Sequence, residues 1–220
     1  GLGHLTDLWG IGTDSARLPR ADEISSAIKD AEKWQISGNT VDLPDGVKLD
    51  LGAAGKGIGC DYASVILQKY KCKSAVVAVG GSVLLYSTDK DEVFTIGIRN
   101  PKGDINEPAA IIEIKACCVS TSGTYERFFE QDGKRYHHIF DPSTGYPAES
   151  GLQSVTVISS SGLVSDALST ACLVLGFEES LPLLKEFDAQ AVFITDENKV
   201  MTTPDFEGLK IADSNFTLVN

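Results

Sequence analysis

Short strand-like stretches recur along the whole chain and alternate with only a few helical ones, and this pattern constrains the fold most. The run Ser74–Val79 indicates a buried strand, whereas apolar residues at helical spacing mark Val164–Leu175. Because the helices interleave with strand meanders rather than forming a regular strand–helix–strand series, we predict an α+β fold with mixed or antiparallel sheets and packed helices. The 220 residues show no internal repeat and no clear linker, so we predict one domain over residues 1–220.

The predicted elements follow a loop-rich stretch that covers the first 20 residues. The predicted helices are Ala21–Lys33, Cys60–Tyr70, Val164–Leu175 and Glu178–Glu186. The predicted strands are Thr40–Leu43, Lys48–Leu51, Ser74–Val79, Val83–Tyr86, Val93–Arg99, Ala109–Cys118, Lys134–Phe140, Leu152–Ser159, Ala191–Thr195 and Lys199–Thr202. The glycine-rich segment Gly52–Gly59 separates the second strand from the second helix.

The charge of the chain excludes some classes of partner. Its formal net charge is −12, and nucleic acids or anionic membranes require clustered Lys and Arg. A phosphate ligand is still compatible, because a metal ion or a helix N-terminus neutralises phosphate locally. No stretch of the sequence approaches the roughly 20 apolar residues of a transmembrane helix, so we predict no transmembrane segment.

The five cysteines are predicted to be free and buried. Their number is odd, no Cys-x-x-Cys motif occurs, and most have apolar neighbours, as in Cys117-Cys118-Val119. A free cysteine packs like a small apolar side chain. This pattern fits a reducing compartment, or a secreted protein that does not use disulfides.

Two glycine-rich motifs are candidates for binding a phosphate. Glycines in Asp50–Gly57 let the backbone approach a ligand, the following helix N-terminus favours anions, and Lys56 adds a positive charge. The pair Gly80-Gly81 ends a predicted strand, where close backbone approach to a ligand is common. Each motif alone is equally compatible with a tight turn or a bulge.

A polar stretch carries most of the residues that indicate chemistry. It runs from Ser120 through Arg127 to the block His137-His138-Ile-Phe-Asp-Pro-Ser-Thr-Gly. Strand alternation sends His137 and His138 to opposite faces, so only one of them faces a site. A neutral imidazole near pH 7 accepts a proton from a hydroxyl nucleophile.

Asp166 and Thr170 are candidate metal ligands. They are four residues apart in a predicted helix and therefore lie on one face. A carboxylate and a hydroxyl suit Mg²⁺, with water and phosphate oxygens completing the octahedron. Alternatively, Asp166 complements the helix dipole and Thr170 bonds to its own backbone.

The joint pattern resembles the ApbE-like family of FAD:protein FMN transferases. Matching motifs are the Asp-Leu-Gly…Lys-Gly loop, the Gly-Gly-Ser strand end, Ser-Thr-Ser-Gly-x-Tyr-Glu-Arg, His-Ile-x-Asp-Pro-x-Thr-Gly and Asp-Ala-x-x-Thr. Val119–Ala148 matches with almost no departure, and the resemblance extends from Asp7 to about Leu209. It implies an ApbE-like architecture related to the T-fold.

The resemblance also implies roles for particular residues. Mg²⁺ binds Asp166, Thr170 and the carbonyl of Gly55, while His138 and Asp166 are the catalytic residues and His137 is an outward neighbour of His138. Asp50 has a supporting role. The residues implied in binding FAD are Lys56, Gly81, Ser122, Gly123, Tyr125, Glu126, Asp141 and Thr144.

The activity implied is Mg²⁺-dependent cleavage of FAD, with FMN transferred through a phosphoester to a Ser or Thr of an acceptor flavoprotein and AMP released. Attack by water instead makes the same site an FAD pyrophosphatase, and loss of turnover leaves a non-catalytic flavin-binding protein. The sequence does not choose between water and a protein hydroxyl as the acceptor.

Two expectations concern departures from the family and cellular location. Ser82 stands where the family commonly has Asn, and family members carry a longer N-terminal portion with contacts to adenine. The family is typically an exported, membrane-anchored lipoprotein on the periplasmic or cell-surface side. Five unpaired cysteines fit that location less comfortably, so a cytoplasmic location stays open.

Overall fold

The computed structural model describes residues 2–29, 31, 33–104 and 106–219, and the chain forms two compact units. The first unit contains the segments 1–51 and 124–149, and the second contains 52–123 and 150–220. Helices and several sheets occur together, which confirms the predicted α+β class. The single domain predicted over residues 1–220 stays a prediction.

The first unit contains two helices and two β-hairpins. The helices are α1 (Gly3–Trp9) and α2 (Ala21–Ile28), and the hairpins are β1 (Gln35–Ser37) with β2 (Thr40–Asp42), and β8 (Phe128–Gln131) with β9 (Lys134–His137). The fully buried Trp9 lies at the centre of the core, with the rings of Tyr136 and Phe140 at 5.6 and 5.7 Å. Its indole Nε1 donates to the carbonyl of Gly145 at 3.0 Å, so the polar atom of this buried ring is paired.

Several sequence predictions for the first unit are wrong at their boundaries. The first 20 residues contain the helix α1, because Leu5 and Trp9 lie four apart and bury the same helical face. Lys48–Leu51 is not a strand. The carbonyl of Lys48 instead accepts from the amide of Gly3 at the start of α1. The helix predicted over Ala21–Lys33 is described as helical only to Ile28, and residues 30 and 32 lie outside the described residues.

The second unit contains three helices and ten strands among its described residues. The helices are α3 (Gly55–Lys69), α4 (Gly162–Leu175) and α5 (Phe177–Glu186). The strands are β3 (Ser74–Val79), β4 (Ser82–Ser87), β5 (Phe94–Arg99), β6 (Pro108–Ile114), β7 (Cys117–Gly123), β10 (Leu152–Ser159), β11 (Gln190–Thr195), β12 (Lys199–Thr202), β13 (Leu209–Ile211) and β14 (Thr217–Leu218).

Seven of these strands form one sheet in the order β14–β12–β11–β10–β7–β4–β3. All neighbours pair antiparallel except β12 and β14, which run parallel. Strands β13, β6 and β5 form a separate antiparallel sheet. Apolar residues of the two sheets, such as Ile112, Val192 and Ile194, pack in one cluster, whereas α3 and α4 cover the other face of the seven-stranded sheet.

Three sequence predictions for the second unit need correction. The run Ser74–Val79, predicted as a buried strand, is the edge strand β3 and contains no buried residue. The strand predicted over Ala109–Cys118 is two strands in two different sheets, β6 and β7, separated by Lys115 and Ala116. Helix α3 begins at Gly55 rather than Cys60, so the Lys56-Gly57 motif is the first turn of the helix and not a loop before it. An alternating apolar pattern does not show where a strand leaves one sheet and enters another.

All five cysteines are free, as predicted from their number and spacing. Cys60, Cys118 and Cys172 are buried. Burial raises the pKa of Cys117 to about 11 and the pKa of Cys118 to about 12, so both thiols are protonated at neutral pH. Among the described residues, none of the helices has the length and apolar character needed to cross a membrane.

Helices α3 and α4 touch backbone to backbone through two glycines. A Cβ atom on Gly57 would overlap the carbonyl oxygen of Gly162 and lie 2.7 Å from the Cβ of Asp166. A Cβ on Gly162 would in turn overlap the carbonyl oxygen of Gly57 and lie 2.9 Å from the Cβ of Cys60. Both positions therefore require glycine, because the backbones of the two helices lie too close together for a side chain.

We expect Gly57→Ala to lower the free energy of unfolding by about 2 kcal/mol or more, because the added methyl group forces the two helices apart. Gly59→Ala is the matched control in the same helix, since its Cβ would lie 3.6 Å from Val79, an ordinary contact. That substitution should stabilise the protein by up to about 1 kcal/mol through helix propensity. Urea denaturation followed by circular dichroism measures both, and equal stability of the two variants would contradict the prediction.

Candidate active site

Asp166 is a buried carboxylate with partners on two other elements of the second unit. It lies one turn into α4 and is 1% exposed. Its Oδ2 accepts from the amide of Gly57 at 2.9 Å, and its Oδ1 accepts from the Ser82 hydroxyl at 3.2 Å. The ammonium of Lys56 lies 3.1 Å from Oδ1 and balances the buried charge.

The first turn of α3 brings both a cation and an amide to this carboxylate. Lys56 Nζ also donates to the carbonyl of Gly52 at 3.1 Å, so the ammonium is held in place by two oxygens. Gly80 has φ +59°, and a Cβ there would lie 3.2 Å from Cδ of Lys56. The glycine pair at the end of β3 therefore permits a tight turn and leaves room for the lysine stem, as one of the two sequence interpretations expected.

Gly81 contributes through its backbone. Its carbonyl accepts from the amide of Thr121 at 3.0 Å, and a Cβ at this position would lie 3.0 Å from the Thr121 carbonyl oxygen. The glycine therefore lets the start of β4 sit close against β7. Its predicted contact with FAD stays a prediction.

Three serine hydroxyls form an ordered chain behind Asp166. The Ser120 hydroxyl donates to Ser82 at 3.0 Å, and the Ser165 hydroxyl lies 2.8 Å from Ser120. Ser82 gives its single proton to Asp166, and therefore receives the proton of Ser120. All three side chains are buried, with exposed fractions of 0 to 1%. The carboxylate thus sets the direction of the bond from Ser120 to Ser82.

Thr170 faces a second group of hydroxyls. It lies one turn beyond Asp166 on α4, and its Oγ1 is 3.0 Å from Oγ of Ser122 on β7. Ser122 is also 2.8 Å from Oγ of Ser169, which donates to the carbonyl of Asp166. Because Ser120 and Ser122 are two apart in β7, both point to the helical face of the sheet.

The structure decides between the two sequence interpretations of Asp166. No acidic residue lies in the first turn of α4, and Asp166 makes its hydrogen bonds to Gly57 on α3 and to Ser82 on β4. It therefore does not serve its own helix dipole. The carboxylate instead joins two helices and a strand.

The chemistry of these donors fits Mg²⁺. A carboxylate and a hydroxyl on one face of α4 are hard oxygen ligands, and Mg²⁺ commonly takes one or two carboxylates and fills the octahedron with water and phosphate oxygens. Within the described ranges, no group of three or more His, Cys, Asp or Glu side chains is placed to hold a metal ion by itself. A metal ion at Asp166 would therefore take its other ligands from hydroxyls, backbone carbonyls, water or phosphate oxygens.

The two adjacent histidines of the first unit have different environments. His137 is 7% exposed, its Nδ1 accepts from the amide of Ile139 at 3.3 Å and its Nε2 lies 3.1 Å from the carbonyl of Ala148. Both ring nitrogens bond to the backbone, so His137 is a buried structural residue. The sequence analysis expected an outward neighbour of His138, and that expectation is wrong. His138 is half-buried, and its Nδ1 lies 3.3 Å from the carbonyl of Arg127.

The loop after His138 is organised by Asp141. Its Oδ1 accepts from the amide and the hydroxyl of Ser143 at 2.8 and 2.7 Å, and these bonds lower the pKa of the Asp141 carboxyl. The carbonyl of Asp141 accepts from Gly145, which has φ +73°, and the hydroxyl of Thr144 accepts from the amide of Tyr146. Asp141 and Thr144 therefore shape an Asx turn.

The predicted site residues divide between the two units. The second unit brings together Lys56, Asp166, Ser122 and Thr170, and also holds Gly55, Gly81 and Gly123. The first unit holds the half-buried Tyr125, the exposed Glu126, and also His138, Asp141 and Thr144.

Sequence reasoning missed three hydroxyls and the second carboxylate around these residues, namely Ser82 as a partner of Asp166, Ser165, Ser169 and Asp61. The sequence did contain a signal for two of these hydroxyls. Ser165 and Ser169 repeat at a spacing of four, beside Asp166 and Thr170, and so mark a polar helical face in an otherwise apolar helix.

The fold and the site together define an α+β protein in which a buried carboxylate and a half-buried hydroxyl lie on one face of a helix. The chain belongs to the ApbE family, whose sequence model matches residues 1–194. The resemblance noted from its motifs is therefore confirmed.

Individual relatives agree with this assignment. The FAD:protein FMN transferase of Treponema pallidum (strain Nichols) is 36% identical over 99% of this chain and 66% of its own length. An FAD:protein FMN transferase of Klebsiella pneumoniae (strain 342) is 33% identical over 100% of this chain and 70% of its own. The crystal structure of the ApbE protein of Thermotoga maritima has a TM-score of 0.83 at 33% identity, covering 92% of this chain and 68% of that one. The chain thus spans about two thirds of the length of the relatives that it matches.

The buried His137 predicts a dependence of stability on pH. Burial lowers its pKa below the usual value, because the imidazolium form loses its hydration. As the pH falls through the ordinary histidine range near 6.5, the unfolded chain binds a proton that the folded chain refuses, so stability is present above that range and is lost below it. We expect the free energy of unfolding to fall between pH 8 and pH 5.5.

The variant His137→Gln should flatten this dependence even if its overall stability is lower. His4→Gln, which alters a different histidine of the first unit, is the control and should keep the slope. Urea denaturation at several pH values provides the measurement. A slope that is unchanged in His137→Gln would show that another group titrates.

Proposed function

We propose that this chain is a magnesium-dependent FAD:protein FMN transferase. The observation that carries the proposal is the buried Asp166 with Thr170 on the same helical face, beside the lysine and the amides of the first turn of α3. The names of the relatives support the substrate FAD and a protein acceptor. We take the acceptor to be a flavoprotein that offers a Ser or Thr hydroxyl within a recognition motif.

The proposed ligands of Mg²⁺ are the carboxylate of Asp166, the hydroxyl of Thr170 and the carbonyl of Gly55. When bound, the ion supplies positive charge against the pyrophosphate of FAD. Lys56 serves the same end from the protein side, because it lies at the start of α3, where a helix attracts anions. Lys56 would then turn from Asp166 towards phosphate.

The proposed reaction breaks the phosphoanhydride bond of FAD and forms a phosphoester bond to the acceptor. The oxygen of the acceptor hydroxyl attacks the phosphorus that carries the riboflavin half, the bond to the AMP oxygen breaks, and AMP leaves. His138 is the proposed acceptor of the hydroxyl proton, because a neutral imidazole takes up a proton near pH 7. His137 does not suit this role, since both of its nitrogens bond to backbone.

The remaining proposed contacts hold the flavin and the ribityl chain. They involve Gly81, Ser122, Gly123, Tyr125 and Glu126, with Asp141 and Thr144 shaping the loop after His138. Water in place of the protein hydroxyl would release free FMN, and the same residues would then act as an FAD pyrophosphatase. Only the product distinguishes these two reactions.

The decisive experiment incubates the protein with FAD, MgCl₂ and a flavoprotein that carries an acceptor Thr. Covalent FMN on the acceptor, seen as in-gel fluorescence and as an added FMN mass, is the expected result. Free FMN and AMP formed at the same rate with and without acceptor would establish the hydrolase instead. No product under either condition, with the protein folded, would leave a flavin-binding protein and reject the transferase.

A first variant tests the proposed metal ligand. We expect Thr170→Val to raise the Mg²⁺ concentration for half-maximal transfer by at least about tenfold, because valine keeps the shape of threonine and removes the oxygen. Thr217→Val, at an exposed position in β14, is the control and should behave like the wild type. An unchanged Mg²⁺ requirement in Thr170→Val would remove Thr170 from the ligand set.

A second variant tests whether Lys56 competes for the carboxylate. Its ammonium lies 3.1 Å from Oδ1 of Asp166 and repels a cation at that position. Without FAD, Lys56→Met should therefore bind Mn²⁺ several-fold more tightly than the wild type, as measured by electron paramagnetic resonance of free Mn²⁺. Lys69→Met, at the far end of α3, serves as the control. Weaker or unchanged Mn²⁺ binding in Lys56→Met would contradict this account.

A further inference from the structure

Asp61 makes three hydrogen bonds to the start of α4 although it belongs to α3. Its Oδ1 accepts from the amide of Gly162 at 2.6 Å, and its Oδ2 accepts from the amide of Leu163 at 2.9 Å and from the hydroxyl of Ser161 at 3.2 Å. Ser161 is the N-cap of α4 and accepts from the amide of Val164. The amides that a helix start leaves unpaired are thus taken up largely by a carboxylate of another helix.

Asp166 makes the reciprocal contact. It belongs to α4, and its Oδ2 accepts from the amide of Gly57, the third residue of α3. Each helix therefore holds the start of the other through a carboxylate. The two glycines touch at the same place, and a Cβ on either one would overlap the carbonyl oxygen of its counterpart.

The reciprocity is visible in the sequence as one pattern that occurs twice. Gly57 is followed four residues later by Asp61, and Gly162 is followed four residues later by Asp166. In a helix, residues at i and i+4 lie on one face, so each helix presents a glycine for contact and a carboxylate one turn further on. We call Gly57, Asp61, Gly162 and Asp166 the reciprocal cap.

The two carboxylates of the reciprocal cap have different additional partners. Asp166 also meets Lys56 and the Ser82 hydroxyl, and it belongs to the proposed ligand set. Asp61 accepts from three consecutive residues at the start of α4 and lies outside that ligand set. One carboxylate is thus available for chemistry while the other fixes the helix that carries it.

We propose that Asp61 is a positioning residue, which sets the location of Asp166 and Thr170 by holding the start of α4 against α3. The two ligands lie one and two turns beyond Gly162, so a shift of the helix start moves both together. This role in metal binding rests on the proposed function. The effect on the position of α4 does not, because it follows from the contacts alone.

The first readout is amide exchange, which needs neither metal nor FAD. In Asp61→Asn the side-chain NH₂ group meets a backbone amide in place of a carboxylate oxygen, so α4 loses its fixed position and Asp166 moves from Gly57. We expect the Gly57 amide to exchange with deuterium at least about tenfold faster than in the wild type. Ser161→Ala is the matched control, since it removes the N-cap of the same helix but leaves the two carboxylates in place, and it should change this rate less than twofold.

The second readout is Mn²⁺ binding without FAD. Asp61→Asn should weaken it at least about tenfold, Ser161→Ala less than twofold, and Asp61→Glu, which keeps the charge on a longer arm, by an intermediate factor. If circular dichroism shows that Asp61→Asn is unfolded, the comparison of Asp61→Glu with Ser161→Ala carries the test.

Equal effects of the Asp61 and Ser161 variants on both readouts would overturn the proposal, because they would reduce Asp61 to a generic cap. A protein that transfers no FMN, yet shows faster exchange at Gly57 in Asp61→Asn, would reject the proposed function and retain the positioning role. In the converse outcome, the wild type transfers FMN while Asp61→Asn shows the same exchange at Gly57 and the same Mn²⁺ binding as the wild type. That result would retain the proposed function and reject the positioning role.

Discussion

The buried carboxylate of Asp166 is the interaction on which the arrangement of the second unit depends. A buried charge is costly unless its hydrogen-bond capacity is filled, and here the partners come from the amide of Gly57, the hydroxyl of Ser82 and the ammonium of Lys56. Those partners lie on α3 and β4, so filling the hydrogen bonds of the Asp166 side chain fixes the start of α3 and the start of β4. The serine chain through Ser120 extends this constraint into the centre of the sheet.

The proposed ligand is an anion although the protein as a whole is negatively charged. A chain with a net charge of −12 is an unfavourable surface for an anionic ligand, yet the proposed substrate carries a pyrophosphate. The start of α3 resolves this conflict over a few ångströms, because a lysine and the positive end of a helix dipole coincide there.

The sequence predicted the class of fold and the shared helical face of Asp166 and Thr170 better than it predicted their surroundings. Asp166 and Thr170 were placed on one helical face because a spacing of four is a local property of any helix. The division of 109–118 into β6 and β7 was missed, because strand alternation is the same in both sheets. Asp61 was missed for a related reason, since its partners at Ser161 to Leu163 are about a hundred positions away and no local pattern encodes them.

The two histidines show the same limit of prediction from local sequence. Alternation predicted correctly that His137 and His138 differ in environment, but it did not predict which neighbour is enclosed. That outcome depends on the carbonyl of Ala148 and on the turn held by Asp141, both of which follow from tertiary contacts.

The contact between Gly57 and Gly162 has a consequence for how this site can change during evolution. Helix spacing in most proteins is adjusted by exchanging side-chain volumes, and a gain on one helix is offset by a loss on the other. Here both positions already have no side chain, so neither helix has volume to give up and the separation is at its lower limit. Variation in the site is therefore directed to the strand positions that face the helices, such as Ser82 and Ser122, where one polar side chain can replace another without moving α3 or α4.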